Sequence, residues 1–295
     1  MKTPPSFLRP SRIPQRLAIA LAGLSLSTGL AIGGATSADA FSWRDLLRGG
    51  IQIVQGVQLS NLSPEQEMSL GADINKQLLQ RDLKLYRGDP GLVAYVDQIG
   101  QRLAQQSDRP ELTYKFQVVE DDQINAYATL GGYVYVTTGL MKLAANEAEL
   151  AGVIGHEIGH IEGKHLISQM SREAWRGGLM SAAGVDRNRA VQIGMELAVR
   201  RPRSRENEYD ADLRGLRIMR EATYAESAMV SFMGKLAQKG GAPPTFLSTH
   251  PHGKDRVLAL QRNLNPTVSG NTGLDEAYYS QQIRALGRRN VTGAR

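Results

Sequence analysis

The feature that most restricts the fold is the stretch ELAGVIGHEIGHIEGKH at residues 149–165, an apolar run spaced by glycines that carries two histidines four residues apart. Asn146 followed three residues later by Glu149 is typical of a helix start, which predicts one helix from residue 147 to about residue 171. Two interpretations are open: a metal site, or a buried helix in which the histidines are incidental.

The spacing of the two histidines favours the metal site. At 100° per residue, His156 and His160 point about 40° apart on successive turns, so both imidazoles can bind one cation. Glu157 is rotated by about 100° from His156, where its carboxylate can contact a water on the metal without binding the ion. Because chance produces this H-E-x-x-H pattern in roughly one chain in a hundred of this length, a third ligand is needed to decide.

The third ligand must be histidine, aspartate or glutamate, because the chain has no cysteine. The same absence excludes thiol catalysis, disulfides, cysteine-ligated zinc and a lipidated N-terminal cysteine. A third histidine would have to lie ten residues after His156, but Leu166 occupies that position and His165 is out of register by one.

A glutamate on a later helix is the other option, and the stretch SRENEYDADLRGLRIM at residues 204–219 supplies one. Glu208 and Asp212 are four residues apart on one helical face. Glu208 can therefore complete the site while Asp212 accepts a hydrogen bond from the outer nitrogen of a ligand histidine. Glu206 is a rival ligand. Taken alone, the acidic run is typical of a solvated helix start, where the helix dipole favours negative charge.

The distribution of histidine also favours a metal site. The chain has five histidines, and all of them lie either in the helical stretch at residues 149–165 or in LSTHPHGKDRV at residues 247–257. Such a cluster beside proline, far along the chain, predicts a loop that folds back over the metal site. For His165 and His252 taken individually, a structural or surface role is the expectation.

The N-terminus is typical of a secretory signal. Basic residues precede the apolar run LAIALAGLSLSTGLAIGG, and the ADA that follows predicts cleavage between Ala40 and Phe41, so residues 1–40 would be removed and the protein exported. The alternative is an uncleaved membrane anchor, since residues 17–36 approach the length of a bilayer span.

The net charge gives no case for nucleic acid as a partner. The formal net charge is +6, and residues 1–40 contribute +3 of it, from four basic residues and Asp39, so the remainder carries only +3. A local basic cluster can contact anionic lipid or a substrate, but we expect it to lie on a solvated face near a helix start. Its members are Arg200, Arg201, Arg203 and Arg205.

Local patterns along the chain predict an α+β, helix-rich fold. Serine or aspartate followed by proline is typical of a helix start, and the pairs at residues 63–64 and 89–90 predict helices that run to about residues 82 and 107. LTYKFQVVED is typical of one strand, and INAYATLGGYVYVTTG of two strands around a glycine pair. Residues 140–265 are helical in pattern with breaks at glycine and proline, and strands followed by many helices indicate the α+β class.

The same patterns divide the chain into segments. After the signal we expect a lead-in at residues 41–60, one domain at residues 61–265 and a C-terminal extension at residues 266–295. The extension is too short to be a second domain, so we expect it to be peripheral. There is no internal repeat and no low-complexity tract.

Four stretches, taken in order, resemble one known family. They are NAYATLGGYVYVTTGLM, ELAGVIGHEIGHIEGKH, RENEYDAD and STHPHGKDR. Together they resemble the zinc metallopeptidases that include HtpX, BepA, LoiP, the Oma-type proteases and the CAAX prenyl protease, over about residues 60–265. The likeness is greatest to the small exported type, LoiP-like but without its lipidated cysteine.

The resemblance implies a gluzincin fold with one Zn²⁺ per chain, Glu157 as general base and Asp212 supporting the ligands. The implied zinc ligands are His156, His160 and Glu208. It also places His250 and Arg256 beside the metal. Two roles stay open for His250: it stabilises the oxyanion, oriented by Arg256, or it occupies the fourth zinc position at rest and acts as a latch.

Zincins hold an extended substrate along the edge of a strand, and we expect GGYVYVTT at residues 131–138 to be that exposed edge strand. The alternative for its tyrosines and valines is an ordinary core strand, and the two are compatible if one edge stays free. The expected substrate-binding residues are Asn125, Ala126, Gly132, Tyr133, Val134 and Tyr135.

The sequence thus predicts a periplasmic zinc-dependent endopeptidase in which Glu157 activates a water to hydrolyse unfolded or misfolded envelope proteins. The quality-control role follows from the resemblance. One alternative is a chaperone or assembly factor for envelope proteins with little or latched proteolytic activity. Another is a membrane-tethered scaffold, if residues 1–40 are retained, and association with a membrane surface is compatible with either.

Overall fold

The computed structural model describes residues 56–179, 181, 184–238, 244–251, 253–265 and 270–287. All of them belong to one structural unit, residues 52–295. The predicted signal, most of the lead-in and His252 lie outside the described residues. Within the described part, no helix combines the length and the apolar character needed to cross a bilayer.

The described chain is rich in helix and has one small mixed sheet, which confirms the α+β prediction. The strands are β1 (Lys115–Val119), β2 (Ala126–Ala128) and β3 (Tyr133–Thr137). The helices are α1 (Pro64–Arg81), α2 (Pro90–Ala104), α3 (Thr138–Leu143), α4 (Glu147–Glu162), α5 (His165–Arg176), α6 (Arg187–Arg200), α7 (Arg205–Glu221), α8 (Ser227–Gln238), α9 (Thr245–Thr249), α10 (Gly253–Asn263) and α11 (Glu276–Gln282), with 3₁₀ turns at Leu59–Asn61, Leu130–Gly132 and Arg284–Gly287.

Side-chain caps begin the helices where the sequence predicts them. The Ser63 hydroxyl accepts from the Gln66 amide while the Ser63 amide donates back to the Gln66 side chain, which is a complete capping box at the start of α1. Asp89 caps α2 through the Gly91 amide at 2.8 Å. Asn146 caps α4. Local chemistry alone therefore sets where these three helices begin.

The predicted single helix over residues 147–171 is wrong, because the chain breaks after Glu162. Lys164 has a left-handed backbone, with φ of 51°, and this ends α4 at Gly163 and redirects the chain. A Cβ on Gly163 would lie 2.3 Å from His165 Nε2, so glycine is needed for the close return of the His165 ring. The break places His165 at the first position of α5, close to the end of α4.

The strand order corrects the prediction for residues 131–138. The order is β1-β3-β2, with β3 parallel to β1 and antiparallel to β2, so β3 is the central strand and is buried throughout. The backbone of Tyr133, Val134 and Tyr135 is therefore paired on both sides and cannot bind a substrate strand. A Cβ on Gly132 would meet the Thr113 carbonyl oxygen at 2.7 Å, so this glycine also packs inside the fold. The edge strand on this side is β2, which carries Ala126.

Small residues allow α4 and α7 to approach closely. A Cβ on Gly159 would lie 2.6 Å from the Ala211 carbonyl oxygen, and one on Gly215 would lie 3.0 Å from the His156 amide nitrogen. Any larger side chain at these positions would hold the two helices apart. The glycine spacing of the apolar run therefore sets the distance between the two helices that carry the predicted ligands.

Both ends of the described chain pack against the buried interior of the protein. Tyr279 on α11 is 1% exposed, and its hydroxyl donates to the Met141 carbonyl oxygen at 2.8 Å. Gly273 accepts a hydrogen bond from the amide of Ala148. Leu59, at the end of the predicted lead-in, is fully buried. The described part of the predicted extension is thus anchored by Tyr279, whereas most of its other residues are exposed, and its peripheral character stays a prediction.

Candidate metal centre

Four side chains from separate parts of the chain converge at one point. His156 and His160 lie on α4, Glu208 on α7 and His250 at the end of α9, and one ligand atom of each lies within 4.8 Å of the others. The two Nε2 atoms of α4 are 3.0 Å apart, and the Glu208 oxygens lie 3.6 Å and 3.3 Å from them. Tetrahedral zinc, with bonds of about 2.0–2.1 Å, separates its ligand atoms by about 3.3 Å. The three predicted ligands therefore have the spacing that zinc requires.

Asp212 fixes the ring of the first ligand. Its Oδ1 lies 2.9 Å from His156 Nδ1, so Nδ1–H donates to this carboxylate. Burial and Arg256 disfavour the charged ring, but the contacts with Asp212 and Glu208 outweigh them and raise the pKa of His156 to about 9, so a metal ion at Nε2 must displace a proton there. The Nε2 lone pair then points at the cluster. A carboxylate behind a metal-binding histidine orients the ring and raises its basicity. The structure places Asp212 where the sequence predicts it.

The second ligand is fixed through a residue that the sequence left without a metal-related role. His165 is buried, and its Nδ1 lies 2.8 Å from His160 Nδ1 while its Nε2 lies 3.2 Å from Asp210 Oδ2. Burial lowers the pKa of His165 to about 4, so the ring is neutral at pH 7. We assign its proton to Nε2, so that His165 Nδ1 accepts from His160 Nδ1–H. His160 Nε2 then also presents a lone pair to the cluster.

His250 comes from the predicted fold-back loop and faces the same point. Its Nδ1 lies 3.2 Å from the Phe246 carbonyl oxygen, which cannot donate, so Nδ1 carries the proton. Its Nε2 is an acceptor and lies 3.3 Å from Glu157 Oε1. Three imidazole nitrogens and a carboxylate thus converge, an arrangement that is repulsive unless a proton or a metal cation lies among them. The residues present fit a zinc ion.

Arg256 holds the surroundings of the ligands together. Its guanidinium donates to both oxygens of Asp212 at 2.7 Å and to the His250 carbonyl oxygen at 3.2 Å, and its Nη1 lies 2.7 Å from Glu208 Oε2. The residue is fully buried. It therefore fixes the main chain at His250, as predicted, and two carboxylates of α7 as well.

Comparison with known proteins decides the family. The model of Peptidase family M48 matches residues 91–264, more than half of the chain. The chain belongs to peptidase family M48. M48 enzymes are zinc metallopeptidases, so the resemblance drawn from the four stretches is confirmed.

Named M48 relatives agree with this assignment. The β-barrel assembly-enhancing protease of Escherichia coli (strain K12) is 29% identical over 78% of this chain and 50% of its own length. The mitochondrial metalloendopeptidase OMA1 of Arabidopsis thaliana is 33% identical over 62% of this chain and 36% of its own. The metalloprotease YcaL of Escherichia coli (strain K12) is 28% identical over 51% and 61%. The chain spans about half the length of the first of these relatives.

The predicted general base of this M48 centre is buried beside the ligands. Glu157 is fully buried, and neither of its oxygens has a hydrogen-bond partner within the described part of the chain. Burial raises the pKa of Glu157. The carboxylate is therefore poised to accept and release a proton nearer to neutral pH than an exposed glutamate.

The charges of the predicted ligands respond to one another. Burial opposes ionisation of Glu208, but the guanidinium of Arg256, with its Nη1 2.7 Å from Glu208 Oε2, stabilises the charged form, and the pKa of this carboxylate is lowered. Burial and the charge of Arg203 lower the pKa of His160. At neutral pH, Glu208 is thus an anion and His160 a neutral ring, which are the forms that bind zinc.

The basic cluster splits in two, and the expectation of a solvated face is wrong for one member. Arg200, Arg201 and Arg205 are exposed, whereas Arg203 is 4% exposed and its Nε–H donates to His250 Nε2 at 3.3 Å. Arg203 immediately precedes Ser204, the cap of α7, so the turn into this helix directs its side chain inward.

The predicted substrate-binding residues also fall into two groups with different positions in the sheet. Asn125 and Ala126 lie at the start of β2, next to α4, whereas the residues from Gly132 to Tyr135 lie in the interior of the sheet. The Asn125 main chain pairs with Thr137, and its side-chain Oδ1 has no hydrogen-bond partner among the residues described. Asn125 and Ala126 are also buried, but they lie at the edge strand, so a role for this pair in binding a substrate strand stays a prediction.

Proposed function

We propose that this M48 chain is a zinc-dependent endopeptidase that hydrolyses peptide bonds in unfolded or misfolded envelope proteins. The observation that carries the proposal is the tetrahedral spacing of His156, His160 and Glu208 with Glu157 buried next to them. Zinc would supply Lewis acidity, which polarises a carbonyl and lowers the pKa of water toward neutrality. The protein's own side chains do the rest.

Proton transfer is the task of Glu157 in this proposal. Its carboxylate takes a proton from the attacking water and delivers it to the leaving amine, and its raised pKa suits both steps. Asp212 and the His165–Asp210 pair hold the two ligand rings, and Arg256 holds Asp212. These residues position the ligands and do not contact the substrate.

The substrate would be an extended segment of an unfolded polypeptide, because zincin-type recognition along a strand edge reads the main chain and tolerates many side chains. The edge strand β2, with Asn125 and Ala126 at its start, is the place for it. The relative in Escherichia coli is named for enhancing β-barrel assembly, which is consistent with envelope proteins as substrates.

Export to the periplasm is part of the proposal and follows from the signal-like sequence of residues 1–40. Expression of the full chain with mass spectrometry of the mature N-terminus tests it. We expect a protein that starts at Phe41. An intact N-terminus would favour the membrane-anchored form.

The hydrolytic function is tested by casein cleavage with purified protein and Zn²⁺. We expect Glu157→Gln to retain one zinc per chain and to lose about 10²–10⁴-fold in rate, because only the proton carrier is removed. Glu208→Gln is expected to lose the metal, whereas the rival Glu206→Gln should keep both metal and activity. Equal cleavage by wild type and Glu157→Gln would refute the proposal.

A second function, a chaperone or assembly factor with latched activity, is favoured by one observation. His250 Nε2 occupies the open side of the cluster, and its imidazole is wholly buried, as is Glu157. The amide of Phe246 donates to the Ile124 carbonyl oxygen at 2.9 Å, so the segment carrying His250 lies against the start of β2. A rise in activity of His250→Ala would support the latch, whereas a large fall would assign His250 to catalysis.

A further inference from the structure

Two arginines lie in the metal centre, and their donors are used differently. Arg256 engages Asp212, Glu208 and the His250 carbonyl oxygen, so each of its three guanidinium nitrogens has an acceptor in the chain. Arg203 is 4% exposed, and its Nε–H donates to His250 Nε2. Its Nη1 and Nη2 have no hydrogen-bond partner among the residues that the structure describes. One buried cation thus has an acceptor at every guanidinium nitrogen, and the other has donors to spare.

Spare donors on a buried cation are destabilising, because neither water nor protein compensates the charge. The Arg203 side chain is nevertheless held in place. Its main-chain amide donates to the Thr249 carbonyl oxygen at 3.0 Å, and its Nε is fixed by His250. A guanidinium held in this way, with its outer nitrogens free, is preorganised for an oxygen ligand that the folded chain does not supply.

A small cavity is lined in part by Arg203. It measures about 10 Å³, and its other polar or charged lining residues are His160, Thr129, Lys164 and Glu67, whose carboxylate is paired with Arg109; Ala128 lines it as well. A space of about this size holds one water-sized group. Ala128 is the last residue of the edge strand β2, and His160 is a predicted zinc ligand. An oxygen in this cavity would therefore lie between strand β2, along which a substrate would bind, and the candidate metal centre.

The charge of the centre also favours an anion. Glu157, Glu208 and Asp212 are opposed by the two guanidinium groups. Once Zn²⁺ binds, the centre carries one net positive charge, which a single developing oxyanion would neutralise.

We propose that Arg203 is a catalytic residue that binds the oxyanion formed from the scissile carbonyl. The inference rests on the proposed function. As the water oxygen bonds to the carbonyl carbon, the π electron pair moves onto the carbonyl oxygen, and the water proton goes to Glu157. Arg203 Nη1–H and Nη2–H donate to that oxygen. When the pair returns, the C–N bond breaks and Glu157 protonates the amine.

Neither neighbouring candidate can take this role in the observed arrangement. His250 Nε2 is an acceptor, because Nδ1 carries the proton, so it cannot donate to an oxyanion. Each guanidinium nitrogen of Arg256 is already held by an acceptor in the chain. The sequence-based expectation that His250 stabilises the oxyanion is thus less consistent with the geometry than the same role for Arg203.

The test uses the full-length zinc-loaded protein and three variants: Arg203→Met, which keeps the length but removes the charge, Arg203→Lys, which keeps the charge, and Arg201→Met as an exposed control two residues away. Four quantities are measured: kcat and KM on a fluorogenic peptide, the calorimetric Kd of a phosphinic peptide whose tetrahedral PO₂⁻ replaces the scissile amide, and the zinc Kd. Peptide binding to Glu157→Gln reports ground-state affinity.

We expect Arg203→Met to lose about 10²–10³-fold in kcat and a similar factor in phosphinic-peptide affinity. KM, peptide affinity in the Glu157→Gln background and zinc affinity should change less than threefold, and Arg201→Met should match wild type. Arg203→Lys should recover at least tenfold of the loss. Unchanged phosphinic-peptide affinity in Arg203→Met, or equal defects in the Met and Lys variants, would overturn the assignment.

Failure of the proposed function would be recognised separately. If wild type binds zinc but cleaves no more peptide than Glu157→Gln, the endopeptidase proposal fails. The Arg203 assignment is then decided by calorimetry alone, since the phosphinic peptide needs no turnover. Loss of its affinity in Arg203→Met supports an oxyanion-binding role, and equal affinity in Arg203→Met and wild type refutes it.

Discussion

Two buried charge clusters lie at the two ends of the same stretch of α4. They differ in whether their charged groups find partners within the chain. At the C-terminal end, Arg109 donates to both oxygens of Glu67 at 3.1 Å and 2.8 Å, to Glu111 at 3.0 Å and to the Ile161 carbonyl oxygen at 3.3 Å. Glu67 also accepts from the Gly131 amide. Every charged group of this cluster has a partner in the chain.

The metal centre lies less than two turns away and is left incomplete. Three imidazole nitrogens face one another, both oxygens of Glu157 lack hydrogen bonds in the described chain, and Arg203 keeps two nitrogens free. A cluster that stabilises the fold satisfies its charges internally, because an unpaired buried charge is costly. A cluster that binds a ligand keeps hydrogen-bond donors, acceptors and lone pairs free to bind that ligand. The comparison separates the two purposes without reference to any relative.

The largest expected effect is on the completed cluster. Arg109→Met should lower the free energy of unfolding by about 3–5 kcal/mol, because it leaves the Glu67 carboxylate buried and unpaired. Urea denaturation measures this. Lys84→Met, which removes an exposed partner of Glu120, is the control and should change the free energy of unfolding by less than about 1 kcal/mol. Similar losses in the two variants would remove the distinction between buried and exposed pairs.

The incomplete cluster should gain stability from its ion. Zn²⁺ at 100 times its Kd is expected to raise the free energy of unfolding by about 2.7 kcal/mol, since the ion binds only the folded chain. Thermal unfolding with and without a chelator measures the gain. It should persist in Lys84→Met and be absent in Glu208→Gln, which lacks one ligand. A gain that survives in Glu208→Gln would mean that zinc binds elsewhere.

The helix contact between α4 and α7 links the ligands to stability. Gly159→Ala should cost about 1–3 kcal/mol, because the new methyl group would meet the Ala211 carbonyl oxygen, and it should also weaken zinc binding by separating Glu208 from α4. Gly234→Ala on α8 is the control, since its Cβ would meet nothing within 4 Å and alanine favours the helix. Loss of stability in Gly159→Ala without loss of zinc affinity would show that the ligand distances do not depend on this contact.

The parts of this molecule that sequence predicts are those set by local spacing. The capping residues Ser63 and Asp89 start their helices within one turn. The i, i+4 geometry of a helix places His156 next to His160 on α4. It places Glu208 next to Asp212 on α7 in the same way. Such features need no knowledge of how distant segments pack.

The parts that sequence misses depend on tertiary contacts. Strand order is one, because the alternating Tyr133–Thr137 stretch is equally typical of a central strand and an edge strand, and only its pairing on both sides distinguishes them. The burial of Arg203 is another, since its neighbours in sequence are exposed. The link from His165 to His160 depends on the backbone reversal at Lys164, which no local pattern indicated.

The hydrogen bond between His165 and His160 gives the smallest expected effect. It can be compared directly with the support that Asp212 gives to His156. His165→Leu keeps the volume of the buried ring roughly constant but leaves His160 Nδ1–H without its acceptor, and it should weaken zinc binding about 10–100-fold. Asp212→Asn, which weakens the support of His156, should have a similar effect, measured by competition with a chromophoric chelator. Asp210 is partly exposed, so Asp210→Asn should cost less than either. Zinc affinity in His165→Leu equal to that of wild type would show that the His160 ring is oriented by packing alone, and the support of the two ligand histidines would then be unequal.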